Sequence, residues 1–373
     1  MKKAAFFIIL TLSFMLLPQA AAATNIGDMP DIQELENYIG PDVLSSLPDG
    51  VLSSEQTSIS AAFSFSYFFT LIKNAFIPAL SESALRLSHL LSMILIASLF
   101  HSMAGSLNKS ELSHSFSSVS SLCVCVYVFS SILLLFESVH AYLKALTSFA
   151  NAVTPFISIV YAAGGNITAG AVSTSGLLIC ITLIENVNTY LLFPLLRISS
   201  FLTIASSVSP KLKTGTLSGF VRGFLMLMVS LTVAAISAIM TFQQTLASSA
   251  DTLASRAIRF ATSSFIPIVG SAISEAVRTI SGSIGYIRAS TGAIGIAVIL
   301  VITLPTFATL MISRINLAIS ASIADMLGCE REKNVLKEAG GLVNFLIALV
   351  SLMAVMFIYF LTLLIRCSSA YSL

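Results

Sequence analysis

One carboxylate stands inside an otherwise apolar stretch. Glu185, with Asn186 and Asn188 beside it, falls near the middle of the run from Gly176 to Leu196. An ionisable group at that depth of a bilayer is a candidate proton relay, ion site or substrate contact. The same three side chains can equally act as hydrogen-bonding links between helices, with the carboxyl protonated. Glycines make the second pattern. Gly215, Gly219 and Gly223 are two consecutive G-x-x-x-G steps, which lie on one helix face and let a second backbone come close. A further set, Gly282, Gly285, Gly292 and Gly295, surrounds Arg288, and Pro267, Gly270, Glu275 and Arg278 precede it. Such a stretch can form a re-entrant or pore-facing segment, or it can be small-residue helix packing.

Other chemistries find no support. Cys123 and Cys125 are two apart and point to different sides of a helix, and the remaining three of the five cysteines are scattered, so neither zinc nor a disulfide framework is expected. The four histidines, His89, His101, His114 and His140, form no ligand pair on one helical turn. There is no G-x-x-x-x-G-K-[ST] loop and no G-x-S-x-G elbow. The expectation is a protein with no catalytic residues, no cofactor and no metal, which leaves any energy supply to a separate ATPase.

The elements that must position these residues follow from composition. Of 373 residues, 56% are hydrophobic and 10% charged, with a mean hydropathy of +0.94. A soluble domain carries roughly 25% charged residues, so the chain is read as an all-α, polytopic integral membrane protein. A net charge of +2 without any basic tract argues against nucleic acid as a partner. A charged side chain at the bilayer centre costs about 2.5 to 3.5 kcal/mol, so charge-free windows of about 20 residues mark the spans. These windows are Leu87 to Asn108, Leu112 to Phe136, Ala145 to Ile184 with a turn at Gly164-Gly165, Gly223 to Ala250, Ala289 to Ser313 and Ala339 to Ile365. About seven transmembrane helices are expected, with Ala61 to Leu80 as the first.

Ahead of them, Lys2 and Lys3, the apolar Ala4 to Leu17, Pro18 and the small residues Ala20 to Ala23 read as a signal peptide over residues 1–23, cut after the Ala21-x-Ala23 pattern. Residues 24–60 hold seven carboxylates, Asp28, Asp31, Glu34, Glu36, Asp42, Asp49 and Glu55, and no Lys or Arg, as suits an extracytoplasmic segment. Residues 61–250 form a first transmembrane group. Residues 251–288 are expected to be an amphipathic or re-entrant hairpin, broken at Pro267 and Gly270. Residues 289–373 supply the last spans and a basic loop with Arg331, Lys333 and Lys337, read as cytoplasmic. If Ala61 to Leu80 spans, the loops holding Arg86, Lys144, Arg197, Lys211, Lys213, Arg222, Arg314 and that basic loop all face inward under the positive-inside rule. If it lies at the interface, every later loop inverts.

Several strings come in a recognisable order: Phe193-Pro-Leu-Leu-Arg-Ile with Leu202-Thr-Ile-Ala-Ser-Ser, then Lys211-Leu-Lys213, then Asp251 before Arg256-Ala-Ile-Arg259. Phe265-Ile-Pro-Ile-Val-Gly270-Ser-Ala-Ile-Ser-Glu275-Ala-Val follows, with Gly282-Ser-Ile-Gly285 and Gly292-Ala-Ile-Gly295 after it. In these the chain resembles the stage III sporulation protein AE family of endospore-forming Firmicutes, from about Ala84 to Arg366. Ile287-Arg288 departs mildly from the Lys-bearing string of that family and keeps the charge. The resemblance implies a membrane subunit of the sporulation complex, or channel, that connects mother cell and forespore and is needed for late forespore gene expression. It also implies a place in the mother-cell-derived membrane around the forespore, with other subunits of that complex and a forespore-side partner protein. The alternative is a secondary transporter or permease working through Glu185.

Overall fold

A computed structural model describes residues 65–106, 110–163, 167–208, 219–221, 223–243, 245 and 270–366. The signal peptide, the acidic segment, Pro267 and Gly215 lie outside these residues. Within them the chain is helical apart from the turn at 327–329: α1 (Phe65–Ser106), α2 (Ser110–Ala163), α3 (Ile167–Val187), a π-turn (Asn188–Leu192), α4 (Phe193–Val208), α5 (Gly219–Gln243), α6 (Gly270–Met326) and α7 (Glu330–Arg366). Counting α3, the π-turn and α4 as one rod, six helices are long and apolar enough to cross a membrane. A bilayer leaves no water for exposed peptide groups, and a helix satisfies all of its own.

The helices are longer than the apolar windows. At about 1.5 Å per residue, the 54 residues of α2 extend about 81 Å, against about 30 Å for a hydrocarbon core. The described parts of the first two windows, 65–80 and 87–106, belong to the single helix α1, and 112–136 and 145–163 are parts of α2. Arg86 and Lys144 therefore sit in mid-helix and not in loops. The physical reason is that nothing between the windows breaks a helix: Glu137 to Lys144 contains neither Gly nor Pro. Pro78 is absorbed inside α1, where the Ser81 hydroxyl donates to the Pro78 carbonyl at 2.9 Å. Residues 270–288 are likewise helical and run without a break into the span that follows.

The π-turn has a local cause. Pro194 has no N–H, and its ring collides with the carbonyl four residues back in a regular helix. The chain widens just before it, so that the Phe193 N–H bonds the Asn188 carbonyl, five residues away.

α6 and α7 form the most extensively packed pair, and both also pack on α2. On α7 the buried positions Ala339, Leu342, Val343, Leu346, Leu349, Val350, Met353, Phe357 and Phe360 recur at three and four residues, one continuous apolar stripe. The two helices turn at Gly328, whose φ of +73° suits a residue without a Cβ. The Cys329 N–H bonds the Ala324 carbonyl at 2.9 Å and the Gly328 N–H bonds the Asp325 carbonyl at 3.1 Å, which closes α6 with a Schellman cap. Lys333 Nζ clamps the tip, at 2.6 Å from Asp325 Oδ1 and 3.2 Å from Glu330 Oε1. Further in, α6 and α7 approach closely at Gly295, where an added Cβ would lie 2.7 Å from Leu361 Cδ1.

Two outcomes follow for the purified chain in detergent. Gly328→Ala should lower unfolding stability by about 1 kcal/mol, the cost of a Cβ in the left-handed region. Gly295→Leu should lower the thermal midpoint far more than Gly295→Ala, because the far end of Leu361 can yield to a methyl group but not to a whole leucine. Equal midpoints for the two Gly295 variants would contradict the close packing described.

Candidate functional site

Specific polar contacts tie the helices of the bundle together. The Tyr142 hydroxyl of α2 donates to the Val350 carbonyl of α7 at 3.0 Å, and Tyr142 is buried. Thr303 Oγ1 of α6 lies 3.5 Å from the same hydroxyl and 2.6 Å from the Ile299 carbonyl. Its single proton goes to the nearer carbonyl, so the tyrosine is the donor that ties α2 to α7 while α6 packs beside it. Asn316 of α6 makes a second tie, donating to the Ser83 carbonyl of α1 at 2.9 Å and to the Ser83 hydroxyl, with both residues buried. A third joins Arg314 to α7: its Nε donates to Asn344 Oδ1 at 3.0 Å, and its guanidinium lies over Gly340, where an added Cβ would be 3.1 Å from it. The ties at Tyr142 and Asn316 escape a reading by charge, because Tyr, Thr, Asn and Ser carry none, and Arg314 marks only the end of a window in that reading.

Glu185 and Asn186 lie on the outer surface of α3, exposed in the single chain, while Asn188 is buried at the start of the π-turn. The Asn188 side-chain oxygen accepts no hydrogen bond among the described residues. The residues singled out together in the sequence are therefore split: two face outward and one inward. α2 carries a matching outward stripe at Glu137, His140 and Lys144, one helical face at spacings of three and four. His140 meets α4 edge-to-face at Phe193, with ring centroids 4.9 Å apart. The spacing of those three residues was legible in the sequence; the contact of His140 with Phe193 was not.

The glycines also divide. Gly219 and Gly223 open α5 on an exposed surface, and among the described residues no atom lies within 4 Å of a notional Cβ at either. Gly292 and Gly295 are buried. Gly270, Glu275, Arg278, Gly282, Gly285 and Arg288 lie along the first part of α6. The two alanines of the cleavage pattern, Ala21 and Ala23, fall outside the described residues. Among the described residues no group of three His, Cys, Asp or Glu side chains is placed to hold a metal ion. Cys125, Cys180 and Cys329 are buried, and burial, then the Glu332 carboxylate, pushes the Cys329 thiol pKa up.

Helical order, six apolar spans and polar ties between them define the class, a polytopic α-helical membrane protein. The family model described as "Stage III sporulation protein AE (spore_III_AE)" matches residues 52–369, and the chain belongs to that family of sporulation proteins. The stage III sporulation protein AE of Bacillus subtilis (strain 168) is 24% identical over 233 residues, which are 60% of this chain and 56% of the relative, so the match spans little more than half the length of that protein. No solved structure matches the chain.

The Tyr142 tie gives a measurable expectation. Tyr142→Phe, which removes one buried hydrogen bond and keeps the ring, should cost about 1 kcal/mol. Tyr142→Ala, which also empties a ring-sized space, should cost about 3 to 5 kcal/mol. Thermal unfolding in detergent distinguishes the two, and equal losses would remove the ring from the account.

Proposed function

We propose that this chain is a membrane subunit of the sporulation complex or channel that connects mother cell and forespore. It acts in the mother-cell-derived membrane around the forespore and is needed for late forespore gene expression and development. It is not an enzyme in this reading. It works with other subunits of the stage III complex, a forespore-side partner protein and a separate ATPase. The observation that carries the reading is the family match over residues 52–369 on a chain with six apolar helices. The exposed glycine face at Gly219 and Gly223 is available to another helix, as a subunit of an assembly requires.

The alternative, a secondary transporter using Glu185, draws on an ionisable group within a span. Against it stands the outward position of Glu185, because a self-sufficient carrier places its coupling residue between its own helices at the midplane.

Removal of the chain from a sporulating strain should abolish heat-resistant spores and the activity of a late forespore reporter, while early forespore expression persists. Glu185→Gln, which keeps hydrogen bonding and removes the proton chemistry, should leave spore counts within about threefold of the parent. A hundredfold loss with the chain still present in the membrane would favour the transporter.

A further inference from the structure

The rod formed by α3, the π-turn and α4 carries one outward row of side chains. Glu185, Thr189, Phe193, Arg197 and Phe201 follow one another at intervals of four residues. Glu185, Thr189, Arg197 and Phe201 are exposed, and Phe193 is half-buried against His140. In an uninterrupted α-helix, at about 100° per residue, Glu185 and Arg197 would stand about 120° apart around the axis. The π-turn lies between them and takes up about one residue of phase, which brings the two to within about 60° of each other. Without it the two charges would face different neighbours.

Glu185 is out of reach of either membrane surface. The apolar rod runs from Thr174 to Leu202, and Glu185 lies about 16 Å from one end and about 25 Å from the other, at about 1.5 Å per residue. A short carboxylate side chain cannot snorkel over that distance, as a long Lys or Arg near a helix end can. Among the described residues neither Glu185 nor Arg197 has a partner of opposite charge: the ion pairs there join Arg86 to Glu82 and Lys333 to Asp325 and Glu330. Ionisable groups inside a span pair with one another or line a water-filled cavity. The side chains around these two favour pairing. Tyr190, Ile198 and Phe201 are 79%, 51% and 67% exposed. Large aromatic and aliphatic side chains beside an exposed arginine are the composition of a protein interface, and along a water-filled path they would narrow and dewet it.

We propose that this row is the seat of one membrane-spanning helix from a different chain, which places a basic side chain opposite Glu185 and an acidic side chain opposite Arg197. The proposal deepens the reading above and rests on it only for the presence of neighbouring chains. Two charges of opposite sign, about 17 Å apart along the rod, fix both the register and the direction of the incoming helix, because sliding or reversing it sets like charges together. A second copy of this chain does not fit. Copies with the same orientation in one membrane are related by an axis along the membrane normal, and such an axis sets Glu185 against Glu185 and Arg197 against Arg197. The partner is instead a span whose basic and acidic residues stand about eleven positions apart, at about 1.5 Å per residue.

The test is photo-crosslinking in sporulating cells with the full chain, p-benzoylphenylalanine standing in place of Tyr190 or Phe201 so that both charges remain. Illumination should capture another membrane protein, and the captured peptide should fall within an apolar span that carries a basic and an acidic residue about eleven positions apart. Recovery of that partner with Glu185→Lys should fall about tenfold or more. Glu185→Gln, which still accepts a hydrogen bond from the cation, should hold recovery within about threefold of the parent. Reversing the partner's basic residue to Glu should restore recovery with Glu185→Lys. If Glu185→Lys lowers the amount of chain in the membrane, Arg197→Glu takes its place, and reversal of the partner's acidic residue to Lys must restore recovery. Capture of a second copy of this chain, of lipid alone, or of a span without that charge pair would overturn the proposal. So would undiminished recovery with the reversed charge. A chain whose removal leaves late forespore expression intact would sink the sporulation reading and leave a captured helix standing, and an empty seat would do the reverse, so the two fail separately.

Discussion

The contact between the Tyr142 hydroxyl and the Val350 carbonyl fixes the register of the molecule. It joins the apolar stripe of α7 to α2, which packs against α1, α3, α4, α6 and α7. A hydroxyl buried in a bundle must find an acceptor or cost about 1 to 3 kcal/mol. Sliding α2 by one turn along α6 and α7 would strand it among leucine and valine side chains. The places of Glu137 and Lys144 along α6 and α7 follow from that one pairing.

The bundle has two kinds of exposed surface. α1 presents Leu95, Ile96, Leu99 and Phe100 outward, an ordinary hydrocarbon-facing surface. α2, α3 and α4 present carboxylates, an imidazole, a lysine and an arginine. A monomer surrounded by lipid has no use for that division. A subunit with neighbours does, since one face can meet lipid while the other meets water or protein. The π-turn ahead of Pro194 shifts the helical phase by about one residue and lies on the rod that bears Glu185 and Arg197. It also buries Asn188 while its neighbours at 189 and 190 remain exposed.

The tip of the α6–α7 hairpin is built by different physics. There the Schellman cap, the Lys333 clamp and the reach of Arg331 to Ser118 replace apolar packing as the means of fixing the chain. Ion pairs so exposed are each worth about 0 to 1 kcal/mol, so the backbone cap and the glycine are the stronger determinants of the turn.

Composition and charge-free windows by themselves determined the membrane class and the helical fold, and the ordered strings from Phe193 to Gly295 carried the resemblance to the family whose model matches residues 52–369. The class and the fold follow from a cost per residue, namely charge in hydrocarbon and unpaired backbone, and such costs can be summed along a chain without knowing its neighbours. Tertiary structure alone decided that windows read as separate spans are single long helices, because continuity depends on the absence of a breaker over eight residues and not on hydropathy. It also decided that Lys144 lies in mid-helix instead of in a loop, and that Glu185 faces away from the bundle. A side chain's depth and direction are set by the register between helices, and register resides in contacts such as Tyr142 with Val350, between residues 208 positions apart.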